Sequence, residues 1–412
     1  MLVKCRIRKG KRMAFERELQ IIMKGVEEIV PKEELLKKLE KSAKTSKPLR
    51  IKYGIDPTGY DVHIGHLVPI RKMREFQDLG HTGVIIIGDF TAQIGDPTGR
   101  DDSRPPLTAE QVKENAARYM EQLYTVLDPA KTEVRWQSEW FGAMGMADVL
   151  KMLGKFTLAQ FMAHDTFRRR YEAGLPLAMH EIMYPVLQGY DSVAIESDVE
   201  LGATEQKFNI LTGRDMQRYF GMEEQIAVLS PILMGTDGVN KMSKSLNNYI
   251  AVFDTPQDKY GKTMSIPDNL ILNYFNYATT YSVEQIVEID KELKSGANPK
   301  YIKQRLAREI VKLYHGEEES LKAEAEFNAV FSQGQIPTDI PEFSFPNGEM
   351  NILSILTETA LCATGGEARR MLQQGAVSVN GDKITDKDTM VTLTGELIIK
   401  VGKRRFAKVT KG

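Results

Sequence analysis

Apolar and polar positions along the chain change rhythm several times, and each rhythm predicts an element. LRIKYGI (49–55) and GVIIIGDF (83–90) are short runs rich in apolar and β-branched residues, so both predict strands. The second has no polar face and predicts a strand buried on both sides. Between them HLVPIRKMREFQDLG repeats apolar residues at helical spacing. Strand, helix and buried strand in that order predict a βαβ unit with a parallel sheet. TEVRWQ (132–137) and QIAVLSPIL (225–233) predict further strands, with helices between. Upstream, the stretch 16–44, which includes EIVPKEELLKKLEK, predicts amphipathic helices that lead into the sheet. The fold class is α/β, a doubly wound parallel sheet whose ligands sit beyond the carboxyl ends of its strands.

After about Phe253 the strand rhythm stops. TPQDKYGKTMSIPDNLILNYFNYA, SVEQIVEIDKELKS and PKYIKQRLAREIVKLYH predict consecutive helices, an all-α domain. QGQIPTDIPEFSFPNGEMN (333–351) is rich in Pro and Gly and reads as a linker. Beyond it a small α+β module runs to Gly412, helices first, then short strands in AVSVNG and GELIIKVG. The expected divisions are 1–15, 16–252, 253–332, 333–350 and 351–412.

Composition narrows the class. The 412 residues are 42% apolar and 27% charged, ordinary for a globular chain, with length for several domains. A net charge of −1 provides no global field for nucleic acid, so any such contact needs a local basic patch. Cys5 and Cys362 are the only cysteines, which excludes a disulfide framework and a cysteine-ligated structural zinc site. No apolar run is long enough to span a bilayer. The opening MLVKCRIRKGKRMAF is basic, lacks acids, and is followed by no apolar h-region. It reads as a disordered extension, with Met13 as an alternative start and a transit segment as the other reading. The expected compartment is reducing and cytoplasmic.

Two short motifs carry chemistry. In DPTGYDVHIGH, His63 and His66 bracket Gly65 where a strand gives way to a helix. A helix N-terminus offers free N–H groups and a positive dipole, both suited to phosphate. Glycine there removes a side chain from the path of a ligand. In TDGVNKMSKSLNNY (236–249), Lys241 and Lys244 sit in a loop led by an Asp-Gly turn, with few apolar neighbours to anchor it. The loop is therefore expected to be exposed and mobile. Alone, a KxxK is ordinarily a solvated loop, and two histidines are ordinarily surface residues.

Together, and in this order on one sheet, His63-Ile64-Gly65-His66 and Lys241-Met242-Ser243-Lys244-Ser245 resemble the paired signatures of the class I aminoacyl-tRNA synthetases. The resemblance implies a Rossmann-like catalytic domain over 16–252, with a helical leader and a dimer-forming insertion, and an anticodon-side helical domain over 253–332. It also implies ATP, carried with Mg2+, as substrate, with no protein-bound metal or prosthetic group. ATP contacts would come from His63, Gly65, His66, Gly202, Glu205, Lys241, Ser243 and Lys244. The implied catalytic groups are His63, His66, Lys241, Lys244 and Thr58. Such a reaction needs no nucleophilic triad, because the attacking carboxylate is already ionised at neutral pH.

YPVLQGYDS (184–192) places Tyr184, Gln188 and Asp191 at i, i+4 and i+7, one helical face. Polar stripes on helices are usually solvated, but this one lies among Met183, Val186, Leu187, Val193 and Ala194. Y-x-x-x-Q-x-x-D resembles the substrate helix of the tyrosine-specific branch of the class. By that resemblance Asp191 accepts the substrate's phenolic proton, Tyr184, Gln188 and Asp96 hold its ammonium, and Thr91 and Gln206 lie nearby. Arg100 and Arg104 match mobile basic positions. GATEQ (202–206) stands where the family carries G-G-T/S-D-Q; Ala203 and Glu205 depart from it, and the added methylene of Glu205 leaves the ribose contact open. Lys52 replaces a tyrosine that in many members also touches the phenol, so the site is expected to lean more on Asp191. Tyr53 cannot substitute, since adjacent strand residues face opposite ways.

From Asn351 to Gly412 there are ten Lys/Arg against six Asp/Glu, a local positive excess. GGEARRMLQQGAVSVNGDKITD resembles the S4 RNA-binding fold, which implies phosphate contacts by Arg369, Arg370, Lys403, Arg404 and Arg405. The resemblance also implies tRNA(Tyr), L-tyrosine and ATP as partners, no membrane, and a homodimer formed around residues 123–170. The alternatives are a tryptophan-specific synthetase, a nucleotidyltransferase without tRNA, and a non-catalytic RNA-binding protein.

Overall fold

The computed structural model describes residues 15–57, 59, 62–94, 108–332, 340–346, 348–402 and 405–412. They form two compact units, one ending at Gly316 and one running from Glu317 to Gly412.

The first unit is organised by a six-stranded sheet of β1 (Glu28–Val30), β2 (Arg50–Ile55), β3 (Thr82–Ile87), β4 (Thr132–Trp136), β5 (Val199–Ala203) and β6 (Ile226–Ser230). The spatial order is β1-β6-β5-β2-β3-β4. Strands β2 to β6 are parallel, and β1 lies antiparallel along β6. Both faces are covered, as a parallel sheet requires. Ile51, Ile85, Ile87 and Val228 pack with Leu67, Ile70, Met73 and Phe76 of the helix Leu67–Asp78. On the opposite face Ala227 and Leu229 meet Ile210 of the helix Lys207–Tyr219. Each such buried aliphatic side chain contributes about 1.5–3 kcal/mol.

Strands β2, β3, β4 and β6 lie where the apolar runs predict them; β1 and β5 correct the sequence reading. Glu28–Val30 falls inside the stretch expected to be helical. Residues 15–23 are helical, and a second helix spans Lys32–Thr45. Between them Pro31 lacks an N–H and biases Val30 toward extended geometry, which frees β1 to pair with the sheet. Strand β5 escapes a hydrophobic-run criterion because its second residue is Glu200, a charged group that is fully buried.

The helices between residues 253 and 316 pack within this same unit. Those at Ile271–Ala278, Val283–Lys294 and Pro299–His315 share a core with Ile64, Val68, Met242 and Ile250.

The second unit begins with the helix Glu317–Ser332. It contains β7 (Glu342–Phe345), β8 (Glu349–Asn351), β9 (Val377–Val379), β10 (Asp382–Ile384), β11 (Met390–Thr392), β12 (Leu397–Val401) and β13 (Arg405–Lys411). Five of them form a sheet in the order β10-β9-β12-β13-β7, and β8 pairs with β11. Helices Ile352–Glu358 and Gly365–Gln373 close its core through Ile352, Leu356 and Leu372. Part of the stretch read as linker is thus strand. EFSF alternates, Phe345 is buried, and the run pairs in parallel with β13.

Candidate functional site

From β2 the chain winds outward through β3 and β4 on one side, while β5 and β6 lie on the other. The order therefore reverses between β2 and β5, and in such sheets ligands bind beyond the carboxyl ends at the reversal. The candidate residues at this edge form three groups.

The first group surrounds Asp56, the residue after β2. Its carboxylate accepts from the Tyr184 hydroxyl at 2.8 Å and from Thr91 Oγ1 at 2.7 Å. Thr91 Oγ1 also lies 3.0 Å from Gln137 Oε1, but it has one proton, and the closer, charged acceptor takes it. Gly88 makes this approach feasible. A Cβ on it would fall 2.2 Å from Asp56 Oδ1 and 2.3 Å from Thr91 Oγ1.

The second group surrounds Asp191, only 2% exposed. Gln137 Nε2 donates to one carboxylate oxygen at 2.9 Å, and Trp140 Nε1 to the other at 3.1 Å. Gln137 also accepts the Thr91 backbone N–H at 3.0 Å, which links this group to the first. Burial pushes the Asp191 carboxyl up to about 7. The charge on Lys52 and the Gln137 hydrogen bond oppose that rise. The Gln188 amide donates to Glu200 at 3.1 Å. The stripe Tyr184, Gln188 and Asp191 is therefore turned inward, and each member has a polar partner on the sheet side.

The third group joins the two signatures. The His63 and His66 rings stack with centroids 3.5 Å apart, and the His66 N–H donates to His63 Nδ1 at 3.3 Å. Burial, reinforced by the Lys244 charge, lowers the His63 pKa to about 4. His63 is consequently neutral at pH 7 and, with Nδ1 accepting, carries its proton on Nε2. Gly65 is the point of contact with the lysine loop. A Cβ there would lie 3.0 Å from His63 Nδ1 and 3.5 Å from Met242 Cβ. Lys244 Nζ reaches to 3.1 Å from where a Gly59 side chain would begin, across the loop after β2. Lys241 Nζ pairs with Glu205 at 2.9 Å, both partly exposed (52% and 40%).

The lysine loop differs from its expected form. Met242 is buried in the core with Ile64, worth about 2 kcal/mol of anchoring. Buried Asn248 accepts the Ser243 N–H at 2.8 Å and donates to Asp237 at 3.0 Å and to the Lys241 carbonyl at 3.1 Å. Hydrogen bonds from Asn240 and the Val239 N–H hold the Asp237 carboxyl near 2. The loop backbone is thus pinned, and the lysine side chains extend from it.

Gly202 is the penultimate residue of β5, and Gln206, in the turn Thr204–Gln206, accepts from Asn209 at 3.0 Å. Thr58, Asp96, Arg100, Arg104, Lys403 and Arg404 lie outside the described residues. In the second unit Arg369 and Arg370 are exposed on one helix. Arg405 is engaged internally, donating to Glu367 at 2.8 Å and to the Leu361 carbonyl. Sequence reasoning missed Asp56, Gln137, Trp140 and Asn248. Asp56 and Gln137 each directly follow a strand, so the rule that ligands sit beyond carboxyl ends carried a signal for both.

Among the described residues no three His, Cys, Asp or Glu side chains gather to hold a metal ion, and no helix is long and apolar enough to cross a membrane.

Comparison with known proteins identifies the family. The family described as tRNA synthetases class I (W and Y) matches residues 44–332, and the tyrosine–tRNA ligase SYY-like C-terminal domain matches residues 331–409. The chain is 46% identical over 394 residues to the tyrosine–tRNA ligase of Moorella thermoacetica, covering 95% of each protein. It is 48% identical over 402 residues to that of Carboxydothermus hydrogenoformans, covering 96% of this chain and 98% of that protein. Its fold resembles that of a C-terminally truncated mitochondrial tyrosyl-tRNA synthetase of Aspergillus nidulans (TM-score 0.64, 22% identity, 79% of this chain and 96% of that one). The chain belongs to the tyrosine–tRNA ligase family of the class I tRNA synthetases.

Proposed function

We infer that this protein joins tyrosine to ATP, forming tyrosyl-adenylate and pyrophosphate, and then passes the tyrosyl group to the terminal ribose of tRNA(Tyr). The observation that carries this reading is Asp191. It is a buried carboxylate with two fixed donors, on the same sheet edge as the histidine and lysine signatures.

In the first step the tyrosine carboxylate attacks the α-phosphorus, a bond forms to one of its oxygens, and pyrophosphate leaves with the electron pair. No general base is needed, so catalysis consists of alignment and charge stabilisation. Neutral His63 donates a hydrogen bond without adding charge. The N-terminus of the helix Leu67–Asp78 supplies backbone donors beside it. Lys241 and Lys244 neutralise the departing phosphates, with Ser243 between them. The Lys241–Glu205 pair is partly exposed and worth at most about 1 kcal/mol, so a triphosphate can draw Lys241 away. Gly202 and Glu205 face the ribose. ATP enters as its Mg2+ complex, the ion travelling with the phosphates.

Tyrosine is held at both ends. Asp191 accepts the phenolic proton, while Asp56 together with Tyr184, Thr91, Gln188, Gln206 and Asp96 forms the ammonium end. Arg369 and Arg370 are the exposed candidates for tRNA phosphates in the second unit. Exposed Met146, Leu150, Leu158 and Tyr171 provide the apolar surface of a symmetric homodimer, for which sedimentation is the test. The expected location is the cytoplasm.

Tyrosine-dependent ATP–pyrophosphate exchange, followed by charging of tRNA(Tyr), tests the whole reading. Exchange that depends on tryptophan instead, or exchange without charging, would overturn it.

A further inference from the structure

Beneath the substrate helix lies a charged pair that the mechanism above leaves unused. Lys52 of β2 and Glu200 of β5 are register neighbours in the sheet, and their side chains are 0% and 1% exposed. Lys52 spends all three protons inside the protein. They go to Glu200 Oε1 at 3.0 Å, Ser192 Oγ at 2.8 Å and the Gln188 carbonyl at 2.7 Å. Glu200 in turn accepts from Gln188 Nε2 at 3.1 Å, Ser192 Oγ at 3.2 Å and Gln225 Nε2. The pair therefore grips Gln188 by both main chain and side chain, and Ser192 by its hydroxyl. Those two residues flank Asp191. Apolar side chains of similar volume commonly fill such a place at no loss of stability, so packing alone does not account for two charges here.

We propose that the Lys52–Glu200 pair is the positioning element of the phenol pocket, fixing the Gln188–Ser192 turn to the sheet and holding Asp191 in the ionised form that accepts a phenolic proton. The proposal rests on the reading of Asp191 given above. The groups acting on that carboxyl are Lys52 from β2, Glu200 from β5, and the neutral donors Gln137 and Trp140 from the segment after β4. Against burial, Lys52 is the leading influence toward ionisation, ahead of either hydrogen bond, and Glu200 acts the other way. Neutralising the two partners should thus have opposite effects, which a purely structural pair would not produce.

The test uses the full chain with Lys52→Met, Glu200→Gln and both together. The readout is the ratio of kcat/KM for tyrosine to that for phenylalanine in pyrophosphate exchange between pH 6 and 8. K52M should move the midpoint of the ratio's pH dependence up by about one unit, lowering the ratio severalfold at pH 7. E200Q should move it down, and the double variant should move it up by less than K52M. The KM for ATP should stay within about twofold throughout, since neither side chain faces the nucleotide. Midpoints that do not move, or that move in the same direction in both single variants, would overturn the proposal. Where circular dichroism shows that a single variant does not fold, the double variant decides, because it buries no lone charge; an unmoved midpoint there is equally fatal. Asp191→Asn separates this proposal from the reading beneath it. A ratio retained in that variant overturns both. A collapsed ratio there, with unmoved midpoints elsewhere, overturns the pair's role alone.

Discussion

Asp191 makes the pH dependence of amino-acid discrimination calculable. Its carboxyl is pushed up to about 7 by burial, whereas the ordinary value is 3.8. A tyrosine phenol needs the ionised form as acceptor; phenylalanine has no proton to give and gains nothing from the charge. At pH 8 about nine-tenths of the sites are ionised, and at pH 6 about one-tenth. Between those values the ratio of kcat/KM for tyrosine to that for phenylalanine should fall about tenfold as pH is lowered. Taking the ratio removes titrations shared by both reactions, such as those of ATP and of Lys259, which burial lowers to about 8. His63, near 4, lies outside the window. The same shift carries a stability consequence. Because the folded-state pKa is raised, its stabilising contribution is complete below about pH 4 and is lost as pH rises through 7. It amounts to about 4 kcal/mol, and the slope should be absent in Asp191→Asn. The assay is pyrophosphate exchange with each amino acid from pH 6 to 8. A wild-type ratio that stays flat across that range would refute the argument, since the acceptor would then not be a carboxylate titrating near 7.

Three further outcomes follow from the described contacts. Lys244→Ala should slow adenylate formation about a hundredfold in pre-steady-state measurements, while ATP binding changes little; a defect wholly in ATP affinity would make Lys244 a ground-state binding residue. Asn248→Ala removes the three hydrogen bonds that pin the lysine loop, about 1 kcal/mol each, and should accelerate amide exchange across 241–245 and slow adenylate formation without raising the tyrosine KM. Arg369→Glu with Arg370→Glu should leave pyrophosphate exchange intact but weaken tRNA charging and flatten its logarithmic salt dependence by about 1 to 2; an unchanged salt slope would remove the two arginines from the RNA surface.

What could be read from the sequence, and what could not, divides along a physical line. Contiguous patterns were legible. The two signatures lie within five residues each, the substrate stripe within eight, and strands β2, β3, β4 and β6 within single apolar runs, because helix and strand periodicity place near neighbours on one face. The illegible features are pairings across the sheet. Glu200 breaks the apolar run of β5, which the sequence reading did not include; Lys52 looked like the loss of a phenol contact. Their side chains meet at 3.0 Å although 148 positions separate them, and each removes the reason to doubt the other. A buried acid needs a cation, and a lysine in a sheet core needs an acid. The lysine loop repeats the lesson. Glu205 carries one methylene more than the family's aspartate and pairs with Lys241, 36 positions away, while Met242 looked unanchored until Ile64 lay beside it. In both places a departure from the linear pattern is one half of a contact whose other half lies far away in the chain. Polar anomalies in this chain are therefore best read in pairs, and the Lys52–Glu200 pair, beneath the helix that carries the carboxylate proposed as phenol acceptor, is where that reading predicts the largest effect from residues outside the proposed substrate contacts.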